Sequence, residues 1–435
     1  MKRYFLSCLL TTLMFSPAIQ AQDTLSLSQA LMVAMENNFN ISLASNDTRI
    51  ARLNNTAGNA GLLPQLGVTG ARSMSVNNTY QQYYDGRERS SDAARNDNIS
   101  AGVALTWTLF DGFDMFIQKK KLSELEGLTE IQLHATVENT ASEVISAYYT
   151  VITQQKMVDV YREAMAITSE RKRIAKAGVG FGTSSELSLL QASVDYNADS
   201  SAYIQQVKLL QNAKVELNRI LCCDLYTRFE VHPEIPIRAD LNFDQLWELV
   251  SVQNPEIQIS RTNLSIALLE KKSTNSSLYP QLNFTSGYNY SKSQSEVGIM
   301  QQNQNRGYNM GINASYTIFD GFIQRHNRSK AQINLESAKI AAEQTELDIK
   351  AYLQRLFNDY QTNLQLSAFE KENVALAQRN LAIATEKYRI GSANDIELRE
   401  TQKKLMDAEN RYLTALFRCK ASETELLRMC GGLTQ

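Results

Sequence analysis

Four segments of the chain alternate apolar and polar residues with a period of two, the pattern of a β-strand. The clearest is Tyr308–Ile318, in which Asn, Ser, Thr and Gly separate the apolar residues. Ile99–Leu109 repeats it, Leu282–Tyr290 is a third copy, and Leu66–Val76 is the weakest because its alternation breaks near Arg72. Each segment is about ten residues long, as in a membrane-spanning strand. A strand of a soluble sandwich alternates too, but this polar face suits a wet lumen, and aromatic residues near the segment ends resemble an interfacial belt.

Very long helices are expected after the second and the fourth of these segments. Residues 65–232 and 281–435 contain no proline, which favours uninterrupted helix. We expect one helix over residues 113–176 and another over 322–387, and roughly 65 residues at 1.5 Å each span about 100 Å. In the second helix, small and apolar residues recur at alternating spacings of four and three over residues 338–356. That spacing predicts a coiled-coil seam.

Glycine-containing turns end both long helices. The turns at residues 177–182 and 388–391 are followed by the capping residues Ser184 and Asn394, and then by return helices of about 40 residues. The sequence therefore predicts two helical hairpins whose glycine tips lie far from the strands.

The whole arrangement occurs twice along the chain. Helical segments at 27–62 and 243–278 align at a shift of 216 residues, and Leu105–Phe113 aligns with Ala314–Phe322 at a shift of 209. The first half therefore has extra residues between Pro64 and the Phe-Asp-Gly corner at residues 110–112, where the second strand leads into the long helix. We expect a first repeat over residues 22–232 and a second over 233–435, with strands near 65–77, 98–109, 281–291 and 308–318 and helical hairpins near 111–222 and 320–430.

Four strands are too few to close a barrel. A sheet in lipid must leave no open edge, and small barrels need about eight strands. Copies of the chain must therefore pool their strands, so that a dimer supplies eight and a trimer twelve. The predicted fold class is mainly α with a small membrane β-barrel, built from duplicated helix-strand-strand-helix-helix halves.

The first residues have the pattern of a secretory signal peptide. Lys2 and Arg3 precede an apolar run over residues 4–15, and cleavage is expected after Ala21. The rest of the chain has no apolar stretch of the ~18 residues that a membrane helix needs. A net charge of −2 gives no nucleic-acid footprint.

Residues that carry chemistry are sparse. His134, His232 and His326 are isolated, and no Ser/His/Asp, phosphate-loop or metal-spaced cluster occurs. We therefore expect no enzyme activity, no cofactor and no metal site. The cysteines after the signal peptide are too few for a disulfide scaffold, and packing at helix ends is favoured over a bridge among them. They are Cys222, Cys223, Cys419 and Cys430.

The order of these features resembles the TolC-type outer-membrane efflux protein family. The resemblance rests on residues 63–66 before the first strand, on Phe-Asp-Gly at 110–112 and 319–321, and on residues 388–391 followed by Asp395. It covers essentially the whole mature chain. It implies a homotrimer with a 12-stranded barrel among outer-membrane lipids of a Gram-negative bacterium and a 12-helix periplasmic tunnel. It also implies the exit duct of a tripartite efflux or type I secretion system, in which an inner-membrane transporter (resistance-nodulation-division, ABC or similar) delivers substrate through a periplasmic adaptor.

The resemblance places an entrance constriction on the second hairpin. Glu397 and Glu400 occupy the positions of acidic residues that ring the tunnel entrance in founding members of the family. Residues three apart share a helix face, so three chains would set six carboxylates around one opening. Such a ring favours cations. The plain alternative is a solvated acidic helix start, which the helix dipole stabilises.

The latch at this entrance departs from the family pattern. Founding members close it with an Arg and a Tyr of this hairpin bonded to an Asp of the first. Tyr388 is kept, but Ala393 and Ser188 stand at the other two positions. Closure is therefore expected from Arg389, Glu186 or apolar packing. The tip residues assigned to the latch and to adaptor contact are Tyr388, Arg389, Gly391, Gly182, Ser188 and Glu186.

The two corners are expected at the membrane interface. Their aspartates can cap the following helix and their glycines permit a tight turn. The corner residues are Trp107, Phe110, Asp111, Gly112, Phe113, Tyr316, Phe319, Asp320, Gly321 and Phe322.

The alternative function is a non-conducting periplasmic coiled-coil adaptor or structural stalk. It accounts for the helices and the export signal but leaves the four strands and both corners unexplained. Drug efflux, metal efflux and protein secretion all stay open for a duct, with small-molecule efflux preferred.

Overall fold

The computed structural model describes residues 24–433, so the predicted signal peptide at residues 1–21 lies outside the described residues. The duplicated order of its elements confirms the predicted fold class. The first repeat contains β1 (Thr24–Leu25), α1 (Leu27–Asn37), α2 (Phe39–Asn54), β2 (Gln65–Gln82), β3 (Glu88–Phe110), α3 (Asp114–Phe181) and α4 (Glu186–Ile220). The second contains β4 (Glu230–Val231), α5 (Phe243–Gln253), α6 (Pro255–Ser276), β5 (Gln281–Ser295), β6 (Gln302–Ser315), α7 (Ile323–Arg389) and α8 (Asp395–Met429).

Each leading helical segment is broken, although the sequence predicted one continuous helix. Asn38 and Asn254 are extended, with ψ angles of 127° and 123°. The Nδ2 of Asn38 donates to the carbonyl of Ile220 at 3.2 Å, and the Nδ2 of Asn254 donates to the carbonyl of Met429 at 3.1 Å. These bonds satisfy carbonyl groups that a helix leaves free at its C-terminus. Pro255 adds a local cause, because proline disfavours the α conformation in the residue before it.

The strands β2, β3, β5 and β6 form one antiparallel sheet in that order. Both hairpins have the same register. Val68 lies opposite Val103 in the first repeat, and Phe284 lies opposite Ile312 in the second. The repeats join where β3 meets β5, with Val103 opposite Tyr288. Within the described chain β2 and β6 are each paired on one side only, so the sheet has two open edges.

The first hairpin is longer than the sequence indicated. Residues 77–98 were expected to be a polar loop, but β2 and β3 stay paired as far as Gln82 and Glu88. A bulge between Asn77 and Thr79 interrupts the register. The alternating pattern fades here because most of residues 77–98 are polar, whereas the backbone ladder needs no apolar face to form.

Both corners have the same backbone geometry. Gly112 and Phe113 have φ angles of 73° and 71°, and Gly321 and Phe322 have 69° and 67°. Two consecutive left-handed residues reverse the chain sharply, and this conformation is costly for a residue with a Cβ. Each corner aspartate offsets part of the cost by capping the helix, as expected. The Oδ2 atoms of Asp111 and Asp320 accept the N–H groups of Met115 and Gln324 at 2.9 and 2.8 Å.

Contacts divide the chain into two compact units, and each draws on both repeats. One unit takes the described residues up to 38 together with 140–239 and 359–424, and it contains both hairpin tips. The other takes residues 39–139, 240–358 and those from 425 onward, and it contains the sheet and both corners. Among residues 24–433 there is no helix both long and apolar enough to cross a membrane.

The return helices end in matching turns with one chemical difference. All four cysteines of the described chain are free. Cys222 ends α4 with a φ of 53°, whereas the equivalent residue after α8 is Gly431, with a φ of 65°. The backbone N–H of Cys222 donates to the carbonyl of Arg219 at 3.1 Å, and that of Gly431 to Arg428 at 2.9 Å. The same left-handed cap is thus strained in the first repeat and unstrained in the second.

Replacing Cys222 with Gly should raise the stability of the protein. Relief of the left-handed strain outweighs the extra freedom of Gly in the unfolded chain, leaving a gain of about 0.5–1 kcal/mol. The matched change, Gly431→Ala, should cost a similar amount, because a Cβ there meets no atom closer than 3.6 Å and only strain is added. Thermal melting of the helical circular dichroism signal measures both. A lower midpoint for Cys222→Gly would contradict the expectation.

Candidate functional site

The two hairpin tips share one turn geometry. Gly182 and Gly391 both have a φ of 75°. In the first turn the N–H of Thr183 donates to the carbonyl of Gly178 at 2.8 Å, and the equivalent bond of the second turn has the same length. Asn394 caps α8 as expected, with its Oδ1 accepting the N–H of Glu397 at 2.7 Å. The cap of α4 is the residue after Ser184, one position later than expected.

A buried arginine lies at the centre of the tip region. The Arg171 side chain is only 1% exposed, although neighbouring residues of α3 are charged and face solvent. Its Nη2 donates to the carboxylates of Asp195 on α4 and Asp395 on α8. Its Nε lies 2.7 Å from Asp395 Oδ1, but off the N–H direction. That contact is an ion pair rather than a hydrogen bond. One guanidinium therefore joins three helices.

A second arginine extends this charge cluster. Arg399 on α8 donates to both carboxylate oxygens of Asp199 at 2.8 and 2.9 Å, and its Nε lies 3.6 Å from Asp195. The neighbouring carboxylate of Asp199 raises the pKa of Arg399 above its ordinary value. Gln402 completes the network, because its Nε2 donates to the carbonyl of Ala164 on α3 at 2.8 Å.

The fourth tip helix joins the cluster through Tyr388. Burial raises the pKa of this phenol, and the adjacent Asp395 carboxylate raises it further. Tyr388 therefore stays neutral and able to donate. It also packs against a small apolar core on the same helices. This core consists of Leu381, Ala384 and Leu398, and Ile167 and Leu405 also pack against it. Apolar packing and ion pairs thus meet at Tyr388.

The predicted entrance residues lie nearby but outside this cluster. Glu397 and Glu400 are exposed on the first turns of α8, and only a weak 3.8 Å ion pair links Glu400 to Lys404. Arg389 pairs with Glu386 of its own helix at 3.1 Å.

The remaining tip residues make local contacts. Ser188 bonds with Ser185, which caps α4, and Glu186 lies exposed in the first turn of that helix. The polar contacts of Arg389 are therefore local, and among the residues predicted for the latch it is Tyr388 that lies against the buried cluster.

The members of the cluster carried only a faint sequence signal. Asp195 and Asp199, and likewise Asp395 and Arg399, are four residues apart and share a helix face. Such spacing is common on solvated helices. Arg171 stands in the run Glu170–Arg173, where nothing in the sequence marks it as the buried member.

The corners pack differently in the two repeats. Trp107 Nε1 donates to the carbonyl of Leu62 at 3.1 Å. Phe110 and Phe113 meet edge to face at 5.2 Å, and both rings also contact Tyr279. Phe319 and Phe322 repeat the first contact at 5.4 Å, but among residues 24–433 no third ring contacts them as Tyr279 contacts the first pair. Phe113, Phe319, Phe322 and Tyr316 are all exposed in the single chain.

The fold and the paired hairpin tips define the class of protein. Residues 24–433 combine a four-stranded sheet that has two open edges with two long helical hairpins. The family described as outer membrane efflux protein matches residues 30–222 and 246–432. The chain belongs to this family. It is therefore an outer-membrane transport protein of the efflux type.

Individual relatives agree with this assignment. The cation efflux system protein CusC of Escherichia coli O157:H7 is 21% identical over 419 residues, covering 92% of this chain and 84% of that protein. The crystal structure of the Campylobacter jejuni CmeC outer membrane channel matches with a TM-score of 0.76 at 18% identity, covering 93% of this chain and 85% of that one. The outer membrane protein VceC of Vibrio cholerae matches with a TM-score of 0.75 at 13% identity, covering 93% and 96%.

Removing the buried arginine should loosen the tips. In Arg171→Leu, Asp195 and Asp395 lose their partner, and breaking a buried ion pair typically costs about 3–5 kcal/mol. We expect hydrogen exchange of tip amides in α4 and α8 to become at least about 100-fold faster. The control is Arg173→Leu, because Arg173 is 72% exposed and its ion pair among residues 24–433 is with Glu170 of its own helix. Equal exchange in the two variants would contradict a central role for Arg171.

Proposed function

We propose that three copies of this chain form the exit duct of a tripartite efflux or type I secretion system. The duct passively conducts substrate that an inner-membrane transporter delivers through a periplasmic adaptor. The observation that carries this proposal is the open four-stranded sheet. An isolated sheet with two unpaired edges is not viable in lipid, because every backbone N–H and C=O needs a partner there.

The faces of the sheet support a water-filled lumen. Thr106 lies opposite Thr285, which in turn lies opposite Gly311. The next inward row pairs Ala104 with Gly287, so small and polar residues follow one another across the strands. The other face carries Trp, Phe, Leu, Ile and Val. Twelve strands from three copies would place the polar face around the channel and the apolar face against lipid.

A non-conducting adaptor or stalk is the competing function. It needs long helices and export but has no use for this sheet. Fractionation separates the two, since a duct appears as heat-modifiable trimers in the outer-membrane fraction and co-purifies with an adaptor and a transporter. Recovery with the inner membrane, without trimers, would overturn the proposal.

The repeats serve as the two parts of each subunit in this proposal. Residues 22–232 and 233–435 each supply two strands and one helical hairpin, after export by the signal peptide at 1–21. The aromatic corners around Gly112 and Gly321 would lie where lipid gives way to the periplasm. The exposed rings of Phe319 and Phe322 would then be covered by lipid or by a neighbouring copy.

The entrance is proposed at the glycine tips. Glu397 and Glu400 are exposed and one turn apart on α8, so three copies can direct six carboxylates to one opening. This arrangement concentrates cations at the entrance. The relative CusC is named for cation efflux, which makes cations a reasonable substrate class to test first.

The charge cluster is proposed as the latch that holds this entrance closed. Tyr388, Arg171 and Asp395 replace the Tyr, Arg and Asp arrangement that Ala393 and Ser188 rule out. If the cluster is the latch, the Arg171→Leu variant should show a higher channel conductance in planar bilayers than the Arg173→Leu variant. Equal conductance would limit the cluster to tip stability.

Removing the entrance carboxylates should change conduction. The double variant Glu397→Ala/Glu400→Ala is expected to raise single-channel conductance and to weaken block by divalent cations, because the ring that binds them is lost. The matched control is Glu343→Ala/Glu346→Ala, which removes the same number of exposed carboxylates at the same spacing from α7, far from the tip in sequence. Divalent block that is unchanged in the first variant would refute the carboxylate ring.

A further inference from the structure

A tyrosine row crosses the apolar face of the sheet at the level beyond which polar and basic residues interrupt that face. Reading across the strands, Val103 lies opposite Tyr288, and Tyr288 lies opposite Tyr308. Tyrosines at such a boundary mark the level where hydrocarbon gives way to headgroups. Because the corners lead to the periplasmic helices, the tyrosine row is at the opposite, outer end of the strands. It therefore marks the outer leaflet.

Basic side chains follow on the same face just beyond the tyrosines. Arg306 lies opposite Tyr290 in the next outward-facing row. In the row after that, Arg72 and Lys292 lie on the two sides of Ile99. Neighbouring strands are about 4.8 Å apart, so Arg72 and Lys292 are about 10 Å apart across the sheet. Ile99 is the apolar residue between these two basic residues, and all three lie beyond the tyrosine row, at headgroup depth.

A cavity of about 770 Å³ opens directly above this basic row. Its floor is the continuation of the outward face, where Asp97 lies opposite Gln294 and Gln294 opposite Gln302. The first hairpin and the connection between β5 and β6 form its walls. The lining residues are Arg89, Arg95, Asp97, Gln294, Ser295, Glu296, Gly298, Ile299, Gln301 and Gln302.

The polar groups of this cavity leave positive charge available. Asp97 is engaged by Arg72, whose Nη2 and Nε lie 2.7 and 3.2 Å from its carboxylate oxygens. Glu296 accepts the backbone N–H of Arg95 at 2.9 Å. Arg89 donates to the carbonyl of Gly298 at 3.0 Å. The Arg95 guanidinium has no ion pair among the described residues. Five basic residues thus face two carboxylates in and beside the cavity.

We propose that this outward cavity and its basic row bind the phosphorylated sugar headgroup of an outer-leaflet glycolipid. Guanidinium and ammonium groups match phosphate oxygens, and the glutamine and serine side chains match sugar hydroxyls. The volume is that of a small-molecule site, larger than a single phosphate needs. The position at headgroup depth gives access from the membrane. This site is independent of the tip latch and of the entrance ring.

The test uses the purified full-length protein in detergent, titrated with bisphosphorylated lipid A and followed by native mass spectrometry. The variant Arg95→Gln/Lys292→Gln should bind about tenfold more weakly, because each basic residue near an anionic headgroup contributes severalfold to affinity. The control Arg87→Gln/Lys330→Gln removes the same charge. Arg87 is bonded to Asp85 in the turn, and Lys330 lies on α7, so this control should bind like the unmodified protein.

Two further probes decide the chemistry of the ligand. Dephosphorylated lipid A should bind the unmodified protein as weakly as bisphosphorylated lipid A binds the double variant. Inorganic phosphate at equal concentration should not compete. Equal affinity in both double variants would overturn the site, and undiminished binding of dephosphorylated lipid A would overturn the role of phosphate. Full competition by inorganic phosphate, or equal binding of phosphatidylglycerol, would overturn the assignment to a glycolipid.

Discussion

In lipid every backbone N–H and C=O group needs a hydrogen-bond partner, and this requirement determines how the protein must assemble. The chain supplies only four strands, and β2 and β6 each present an unpaired edge. The edges cannot be left open in a membrane, so the molecule is complete only as an assembly. Duplication simplifies the assembly, because both hairpins have one register. The pairing of β3 with β5 joins the two hairpins inside the chain. It is thus a template for the strand pairing that joins hairpins of neighbouring copies.

The corners connect this requirement to the helices. At each corner a Gly and a Phe take left-handed angles in succession, and an aspartate caps the helix that follows. The strained conformation is tolerated because these few residues set the direction in which the following long helix leaves the strand. At the hairpin tips, charge pairing is the dominant interaction. There Arg171 is buried among carboxylates from two other helices, which holds the tips together.

Much of the fold could be predicted from the sequence, because period, proline content and duplication are local or repetitive signals. The alternation in Tyr308–Ile318 identified a strand, and the corner motif located the start of each long helix. The break at Asn38 could not be predicted, since its side chain bonds to a carbonyl 182 residues away. Pro255 did mark the break at Asn254, but not the distant carbonyl to which Asn254 bonds. The tip cluster was missed for a similar reason. Arg171 looks like its charged neighbours until α4 and α8 bring aspartates against it.

The sequence by itself determined the class of protein, the duplicated order of elements, the two faces of the sheet and the need for more than one copy. The class follows from the resemblance of the ordered motifs to a known family. The other features follow from periodicities of two and 3.6 residues, from the repeated motifs and from the strand count, which require no knowledge of distant contacts. Only the tertiary structure decided which charges are buried, where the first leading helix breaks, and that basic residues from four strands gather beside one outward cavity. Those features depend on which side chains meet across elements. Ion pairs and hydrogen bonds form between atoms that are a few ångströms apart. Spacing along the chain does not show which distant residues come that close.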